Sequence, residues 1–285
     1  MFKPQKALHL HIEEEKKKPK HLGHDYVVFE KYDGWYGYLD LAEGIVRSRV
    51  GREIPSCKLL SEKIMDTTYR RHGVAIFEIL LHGITEFSEL NGILNRSKGD
   101  CTRDDAYAKV HDLVTDPAMV YRDRHNQMLS TFGTDNGRTD IQVAKYLDVS
   151  SNPTIWKRRV EDVWERGGEG IILKRVEAPY SMDKRNFDLM KIKEEVTLDL
   201  LVVGLENGQG KYDGCVGALV CKDQKGNTHH ISGMTDDQRW EWVRNESAII
   251  GKVVEVKAMK VNKDGSLREP RFKAIRYDKT SKDID

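Results

Sequence analysis

The stretch YVVFEKYDG, residues 26–34, decides the fold because it joins an apolar run to a lysine and a turn. The β-branched and aromatic residues 26–29 predict a strand, and Asp33-Gly34 is a turn signal. Lys31 therefore lies where a buried strand opens into a turn, and partial loss of water there favours the neutral, nucleophilic amine. The alternative is a surface lysine beside a hairpin. The same KYDG recurs at residues 211–214, so the surroundings must decide.

The composition of this 285-residue chain leaves room for one large domain or two smaller ones. The 47 lysines and arginines nearly cancel the 46 aspartates and glutamates, so a nucleic-acid surface must come from local segregation of charge. The four cysteines are scattered without a CxxC pair, which argues against structural zinc and against a disulfide framework. Because the sequence shows neither an apolar run of membrane-spanning length nor a signal peptide, we expect a cytoplasmic protein with no membrane partner.

Strands and helices are predicted to alternate through the first two thirds of the chain. The predicted strands are residues 26–29, 35–41, 45–50, 74–81, 108–114, 169–174 and 187–193. The predicted helices are residues 56–72, 121–131, 139–147 and 153–166, with Ser56 and Asn152 at the starts of the first and the last. Residues 1–25 and 85–105 are predicted to be polar loops or helix ends.

Charged residues inside apolar strands are candidate site residues. Glu78 lies within VAIFEILL, where a buried carboxylate is costly unless it has a partner or a ligand. Lys191 and Lys193 share one face of a strand, and a bound phosphate would relieve their mutual repulsion. The alternatives are a structural ion pair for Glu78 and an exposed edge strand for the two lysines.

From residue 196 the pattern changes to five short strands separated by glycine turns, with one helix whose Thr235 and Gln238 form a capping box. Roughly ninety residues of this kind predict a small closed barrel of the OB type. We expect the boundary at Glu194-Glu195, which divides the chain into residues 1–194 and 195–285. The closing segment is basic, which predicts contact with a phosphate backbone. Its cations are Lys257, Lys260, Lys263, Arg268, Arg271, Lys273, Arg276 and Lys279.

Six short motifs, in order, resemble those of the ATP-dependent DNA ligases, which belong with RNA ligases and capping enzymes to the covalent nucleotidyltransferases. They are KYDG at 31–34, SRVG at 48–51, the strand around Glu78, EGIILK at 169–174, KIK at 191–193, and the closing segment 265–279. AKVHDLV, residues 108–114, is similar to the strand that carries an adenine-stacking aromatic, and residues 87–100 resemble a loop of short phage-type ligases. The resemblance covers nearly the whole chain. It implies an α+β fold, in which a nucleotidyltransferase (ATP-grasp-like) domain of antiparallel sheets with flanking helices precedes an OB-fold β-barrel.

The resemblance implies that the protein seals nicks in duplex DNA through a lysyl-AMP intermediate, with ATP and Mg²⁺ as cofactors. Lys31 is the implied nucleophile, Asp33 the residue that helps to orient and deprotonate it, and Glu169 the metal contact. The implied nucleotide contacts are Glu30, Lys31, Arg49, Glu78, His111, Lys174, Lys191, Lys193, Arg268 and Lys273. Arg268 and Lys273 belong to the barrel, which is expected to close over the triphosphate by a hinge motion. A monomeric enzyme of DNA replication, repair or recombination is implied, in a bacterial cell or encoded by a phage.

Three positions differ from the usual family pattern. Tyr36 stands where arginine is usual, Phe77 where glycine is usual, and His111 where phenylalanine or tyrosine is usual. Three alternatives stay open here. An RNA ligase or a GTP-using capping enzyme shares the scaffold and differs in nucleotide and sealed substrate. A non-catalytic OB-fold binding protein leaves the charged strand residues unexplained, and an NAD-dependent ligase requires a four-cysteine zinc module that this sequence does not show.

Overall fold

The computed structural model describes residues 2–10, 23–68, 72–96, 98, 101–133, 140–262 and 264–285. The polar segment at residues 11–22, part of the 87–100 motif and Lys263 lie outside the described residues. The chain divides into two compact units, Met1–Lys193 and Glu194–Asp285, one residue before the expected boundary. None of the helices in the described ranges has the length and apolar character that crossing a bilayer requires.

The described part of the first unit is built from two five-stranded sheets with helices packed on them. Its strands are β1 (Lys6–His9), β2 (Tyr26–Glu30), β3 (Trp35–Asp40), β4 (Ile45–Ser48), β5 (Val74–Leu81), β6 (Ala106–Val114), β7 (Ile141–Val143), β8 (Tyr146–Ser150), β9 (Gly170–Arg175) and β10 (Arg185–Lys193). Its helices are α1 (Lys58–Thr67), α2 (Phe87–Leu94), α3 (Tyr121–Phe132) and α4 (Pro153–Glu165). The strand orders are β1-β10-β9-β2-β8 and β4-β3-β5-β6-β7.

Strand β2 positions the first KYDG motif. It lies between β9 and β8, and its first four residues are buried, which is why this stretch is continuously apolar. Tyr26 meets the ring of Trp156 on α4 edge-on, with the ring centroids 5.3 Å apart. Lys31 follows the strand directly, and its backbone N–H donates a hydrogen bond of 2.8 Å to the carbonyl oxygen of Gly170. The turn that carries the lysine is therefore fixed to the start of β9.

Strand β5 brings the charged residue of the second sheet next to this turn. It pairs with β3 on one side and β6 on the other, so that Glu78 lies opposite Tyr36 and also opposite Lys109. A Cβ atom at Gly34 would lie 2.8 Å from the carbonyl oxygen of Ile79. The glycine of the KYDG motif is therefore required where the turn packs against β5.

The second unit contains a five-stranded sheet in the order β13-β12-β11-β14-β17 and a separate two-stranded ribbon. Its elements are β11 (Val196–Asn207), β12 (Val216–Lys222), β13 (Thr228–Ile231), α5 (Asp236–Arg244), β14 (Val253–Ala258), β15 (Lys260–Val261), β16 (Leu267–Arg268) and β17 (Arg271–Ile275). The edge strands approach each other at the bridge between Ser232 and Arg271, where Phe272 N–H donates 2.7 Å to Ser232 O. Apart from this bridge, the strand pairings among the described residues leave the sheet open, so the predicted closure of the barrel is wrong. The capping box of Thr235 and Gln238 is confirmed.

Two predictions of secondary structure in the first unit are wrong. The predicted helix at residues 139–147 is replaced, from residue 140 onward, by β7 and the start of β8. β7 pairs with β6 and β8 pairs with β2, so sheet pairing outweighs the local helical propensity. The predicted polar loop at residues 85–105 contains α2, whose Leu90 and Leu94 are buried in the core.

Two further predictions in the first unit are also wrong. Ser56 does not cap a helix, because it lies in the 3₁₀ turn Pro55–Cys57 and α1 begins at Lys58. The predicted N-terminal loop contains β1, which pairs in parallel with β10. The other predicted strands and helices are confirmed, with ends displaced by a few residues.

Candidate active site

A cavity of about 450 Å³ lies within the first unit and collects most of the residues that the sequence singles out. Strands β2, β3, β5, β6, β9 and β10 each contribute side chains to its wall. The predicted site residues on that wall are Glu30, Lys31, Arg49, Glu78, His111, Lys174 and Lys191. Because the fold brings these distant residues together, the cavity is the candidate active site.

Lys31 is paired with a carboxylate. Its Nζ donates a hydrogen bond of 2.6 Å to Glu169 Oε2, and the two side chains are 21% and 10% exposed. Glu169 immediately precedes β9. Two adjacent residues, Glu169 and Gly170, therefore accept hydrogen bonds from the side-chain amine and the backbone N–H of Lys31. A Cβ at Gly170 would lie 2.1 Å from Ile192 O, which explains a glycine after the glutamate. Asp33 lies half-buried in the turn beside the lysine.

Glu78 is a half-buried carboxyl close to several charges. Burial raises the pKa of Glu78 to about 7, against the opposing effect of the Lys31 and Arg49 cations. The neighbouring carboxylates of Glu169 and Asp33 raise the pKa further. Glu78 therefore changes its protonation near neutral pH and can accept or donate a hydrogen bond in the cavity.

Arg49 is supported by the aromatic ring that stands where the family usually has arginine. The Arg49 Cζ atom lies 4.0 Å from the centroid of the Tyr36 ring, which is a cation–π contact. The Tyr36 ring is also 6.4 Å from the His111 ring, centroid to centroid. Burial raises the pKa of Tyr36 well above its ordinary value, so the phenol stays neutral. Tyr36 thus holds the Arg49 guanidinium at the cavity wall.

A fully buried ionic network underlies the cavity. Asp112 accepts hydrogen bonds from Arg124 Nε at 2.9 Å and from Lys174 Nζ at 3.1 Å. Asp112 is 2% exposed, Arg124 is 3% exposed and Lys174 is 6% exposed. Burial alone would raise the pKa of Asp112, but the two cations outweigh it and the pKa lies below its usual range. Burial lowers the pKa of Lys174 to about 8, although Asp112 opposes this shift.

His111 is bonded to the same lysine. Lys174 Nζ lies 2.7 Å from His111 O and 3.1 Å from His111 Nδ1. Burial, followed by the charge of Lys174, lowers the pKa of His111 well below its ordinary value, so the ring is neutral. Both Lys174 and His111 line the cavity, and the Lys174 amine makes its hydrogen bonds to atoms of the protein.

The remaining predicted site residues occupy different places. Lys191 lines the cavity, and burial lowers its pKa, helped by Lys193 and Lys31. Lys193 is the last residue of β10 and is not among the described residues that line the cavity. Glu30 is on the wall and pairs with Arg166 at 2.7 Å. Arg268 in β16 and Lys273 in β17 belong to the second unit.

Sequence reasoning missed Asp112 and Arg124 as parts of the site. Asp112 carries the same signal as Glu78, a carboxylate inside an apolar strand. Arg124 lies on the buried face of α3, three residues after Tyr121 and four before Met128. A cation on the apolar face of a helix is costly without a partner, and this signal could have indicated an ion pair with Asp112.

Comparison with protein-family models matches a segment in each unit. The model described as ATP dependent DNA ligase domain matches residues 101–193, and the model described as DNA ligase OB-like domain matches residues 207–276. The first match covers β6, β9 and β10, which carry much of the cavity wall. The second lies within the open five-stranded sheet unit.

Individual proteins show the same similarity. The chain is 28% identical over 211 residues to a DNA ligase of Haloferax volcanii, covering 63% of this chain and 34% of that protein. It is 33% identical over 124 residues to DNA ligase 4 of Coprinopsis cinerea, covering 40% of this chain and 12% of that protein. The chain thus spans about a third or less of these curated relatives. A solved Lig E DNA ligase superposes with a TM-score of 0.76 at 19% identity, covering 97% of this chain and 100% of that one, and shows a shared fold.

Proposed function

Because models of the ATP-dependent DNA ligase domain and of the DNA ligase OB-like domain match residues 101–193 and 207–276, we propose that the chain is an ATP-dependent DNA ligase that seals nicks between a 5′-phosphate and a 3′-hydroxyl in duplex DNA. ATP supplies AMP, and Lys31 carries it as a lysyl phosphoramidate. The observation that carries the proposal is the contact of 2.6 Å between Lys31 Nζ and Glu169 Oε2 in a cavity lined by Glu78 and Arg49. An amine beside a proton acceptor, in a pocket of fixed cations, suits attack on a phosphate.

The first step makes the covalent intermediate. A bond forms between Lys31 Nζ and the α-phosphorus of ATP, and the bond from that phosphorus to the oxygen bridging to the β-phosphate breaks, which releases pyrophosphate. The ammonium of Lys31 must lose a proton before it attacks. We propose that Asp33, in the turn beside the lysine, helps to take that proton, while the hydrogen bond to Glu169 Oε2 holds the amine in place.

The next two steps transfer AMP and close the nick. The 5′-phosphate attacks the AMP phosphorus and the bond to Lys31 Nζ breaks. The 3′-hydroxyl then attacks the 5′-phosphorus and AMP leaves, while a proton is lost from the hydroxyl. Every step moves a phosphoryl group, so positioning and charge neutralisation carry the catalysis. Lys191 and Arg49 are the cavity cations that serve this purpose, and we propose that Arg268 and Lys273 of the second unit assist the first step.

Magnesium is the ion that we propose for these steps. Mg²⁺ is typically held by one or two carboxylates together with substrate phosphates, not by an all-protein cage. The described residues contain no group of three or more histidines, cysteines, aspartates or glutamates that could hold a metal, which fits that mode. Glu169, beside the nucleophile, is the carboxylate that would hold the ion. When bound, the ion neutralises negative charge on the phosphoryl oxygens.

Labelled nucleotides test the proposed function. The full chain is incubated with magnesium and ATP, GTP or NAD carrying a radioactive α-phosphate or adenylate, and is run on a denaturing gel. We expect covalent label from ATP and none from GTP or NAD. The labelled protein is then offered a nick in duplex DNA or two single-stranded RNA ends, and we expect sealing of the DNA. Label from GTP alone, or a preference for RNA ends, would reject the proposal.

A further inference from the structure

We propose that Lys174 is a positioning residue that holds His111 in one neutral tautomer, so that the Nε2–H group of His111 is presented to the nucleotide as a hydrogen-bond donor. The proposal assigns a task to the buried network of Asp112, Arg124 and Lys174, which the three chemical steps do not use. Only the identity of the ligand rests on the proposed function. The tautomer itself rests on the geometry of the network.

The hydrogen bonds of Lys174 leave its amine no freedom. An ammonium group has three N–H donors and no acceptor. Three acceptors surround Lys174 Nζ: His111 O at 2.7 Å, Asp112 Oδ2 at 3.1 Å and His111 Nδ1 at 3.1 Å. Each donor therefore has a protein partner, and two of the three acceptors belong to His111.

The direction of the bond to the ring follows from the charges. Asp112 stabilises the ammonium of Lys174 at a separation of 3.1 Å, and Arg124 completes the coordination of that carboxylate. The charged amine can only donate, so His111 Nδ1 must accept and carries no hydrogen. A neutral imidazole has one N–H group, and in His111 it is therefore on Nε2.

The second ring nitrogen is available to a ligand. Within the described ranges, Nε2 of His111 makes no hydrogen bond, and it is not one of the polar atoms sealed from solvent without a partner. Since His111 lines the cavity, Nε2 is reachable from the cavity. A phenylalanine here would offer a ring face but no donor. We assign Nε2–H to an acceptor nitrogen of the adenine ring.

Nitrogen NMR tests the tautomer directly. The full chain is labelled with ¹⁵N-histidine, and a long-range ¹H–¹⁵N spectrum at pH 7 separates Nδ1–H from Nε2–H rings. The chain has 10 histidines, so the His111 signals are identified by their loss in His111→Phe. We expect a neutral Nε2–H ring in the wild-type protein. A doubly protonated ring, or a proton on Nδ1, would overturn the proposal.

Two lysine variants test the cause. Lys174→Met removes the donor to Nδ1, and we expect the His111 signals to move toward a mixture of tautomers. Lys109→Met is the matched control, because Lys109 lies on the same strand as His111, donates to Gln142 and has no hydrogen bond to the histidine. Unchanged His111 signals in a folded Lys174→Met would overturn the positioning role. If that variant does not fold, the wild-type spectrum still decides whether the ring has the required tautomer.

Binding of α,β-methylene ATP, which cannot transfer AMP, tests the donor. His111→Phe keeps a ring and loses the N–H group, whereas His111→Gln keeps an N–H donor near the Nε2 position. Because one neutral hydrogen bond is at stake, we expect the Kd of His111→Phe for this analogue to rise about 2- to 10-fold. Unaltered affinity in His111→Phe would overturn the donor role. A wild-type protein that binds no ATP analogue would instead reject the proposed function, and the NMR result would stand separately.

Discussion

At the scale of single residues, two copies of KYDG show how surroundings determine the chemistry of a lysine. Lys31 is 21% exposed and is held at 2.6 Å by Glu169. Lys211 is exposed in the short turn Gly210–Tyr212, and its Nζ lies 4.3 Å from the Tyr212 ring. The hydrogen-bonding contact with Tyr212 raises the pKa of Lys211, so this amine stays charged and is a poor nucleophile.

We therefore expect Lys31→Ala to abolish both covalent labelling by ATP and nick sealing. Lys211→Ala serves as the matched control and should keep full labelling, with at most weaker DNA binding. Mass spectrometry of the labelled peptides checks the assignment. Adenylate on the peptide that contains Lys211 would contradict the interpretation of the whole site.

The support of Arg49 by Tyr36 gives a second expectation for individual residues. Tyr36→Leu removes the ring, and the loss of a cation–π contact of about 0.5–2 kcal/mol should lower kcat/KM for nick sealing about 2- to 30-fold. Tyr36→Phe keeps the ring and should behave like the wild type. Tyr38→Leu is the control, because Tyr38 is buried two residues along the same strand and packs on Phe2 instead. Equal losses in both leucine variants would indicate a packing effect only.

Glu78 links the site to the pH dependence of stability. Its pKa of about 7 in the folded chain exceeds the value of about 4.3 for a free glutamic acid. Between these two pH values the unfolded chain has already lost the proton that the folded chain retains. The free energy of unfolding therefore falls as the pH rises toward 7, and the full loss of stability is reached above pH 7.

Glu78→Gln should therefore raise the free energy of unfolding at pH 8, by on the order of 1–3 kcal/mol, while impairing adenylation. Near pH 4 the difference from wild type should vanish, because both chains then carry a neutral side chain. Urea unfolding at the two pH values measures this, with exposed Glu165→Gln as control. A stability gain that is the same at both pH values would rule out the proposed burial cost.

At the scale of elements, one capped helix in each unit allows the two units to be perturbed separately. Asn152 accepts a hydrogen bond of 2.9 Å from Thr154 N–H at the start of α4, and Thr235 accepts one of 3.2 Å from Gln238 N–H at the start of α5. Replacing either cap by alanine should cost about 0.5–2 kcal/mol.

Asn152→Ala should lower the temperature at which binding of α,β-methylene ATP is lost, since α4 packs behind β2 in the unit that holds the cavity. Thr235→Ala should destabilise the second unit and leave that temperature unchanged. Thermal unfolding followed by ligand binding compares the two. Equal effects on binding would contradict the location of the nucleotide cavity in the first unit.

The same scale shows what local sequence could predict. The apolar run of β2 and the capping box of α5 were readable because short-range patterns specify them. The strands β7 and β8 could not be predicted in this way, because each depends on a distant partner. Strand β7 pairs with β6, more than twenty residues earlier in the chain, and β8 pairs with β2, on the order of a hundred residues earlier. Likewise, the motif residues of the cavity were readable, whereas the pairing of Asp112 with Arg124 and Lys174 depends on how a sheet and a helix pack.

At the scale of the whole molecule, the structure changes the view of the basic closing segment. Several of its cations are already paired with acidic neighbours: Lys279 with Asp199 at 2.5 Å, and Arg276 with the same carboxylate at 3.1 Å. Lys273 is exposed and makes no ion pair with any residue in the described ranges. Cations without acidic partners contribute most to the attraction of a phosphate backbone.

DNA binding without ATP should therefore weaken as salt is raised, and Lys273→Ala should reduce the slope of log K against log salt by about 1. Lys279→Ala should reduce that slope less, because Asp199 already balances its charge. Fluorescence anisotropy with a nicked duplex at several salt concentrations measures both. A larger change for Lys279→Ala would reverse this assignment.

The parallel pairing of β1 with β10 has a consequence for synthesis of the protein on the ribosome. Lys6 is aligned with Arg185, and Leu10 N–H donates a hydrogen bond of 2.9 Å to Lys191 O, so β1 is joined to a strand that is made more than 170 residues later, near the end of the first unit. The ribosome must therefore synthesise β10 before β1 can pair with it. Until then the nascent chain cannot complete the wall that carries Lys191, so the cavity is completed only after β10 has been made.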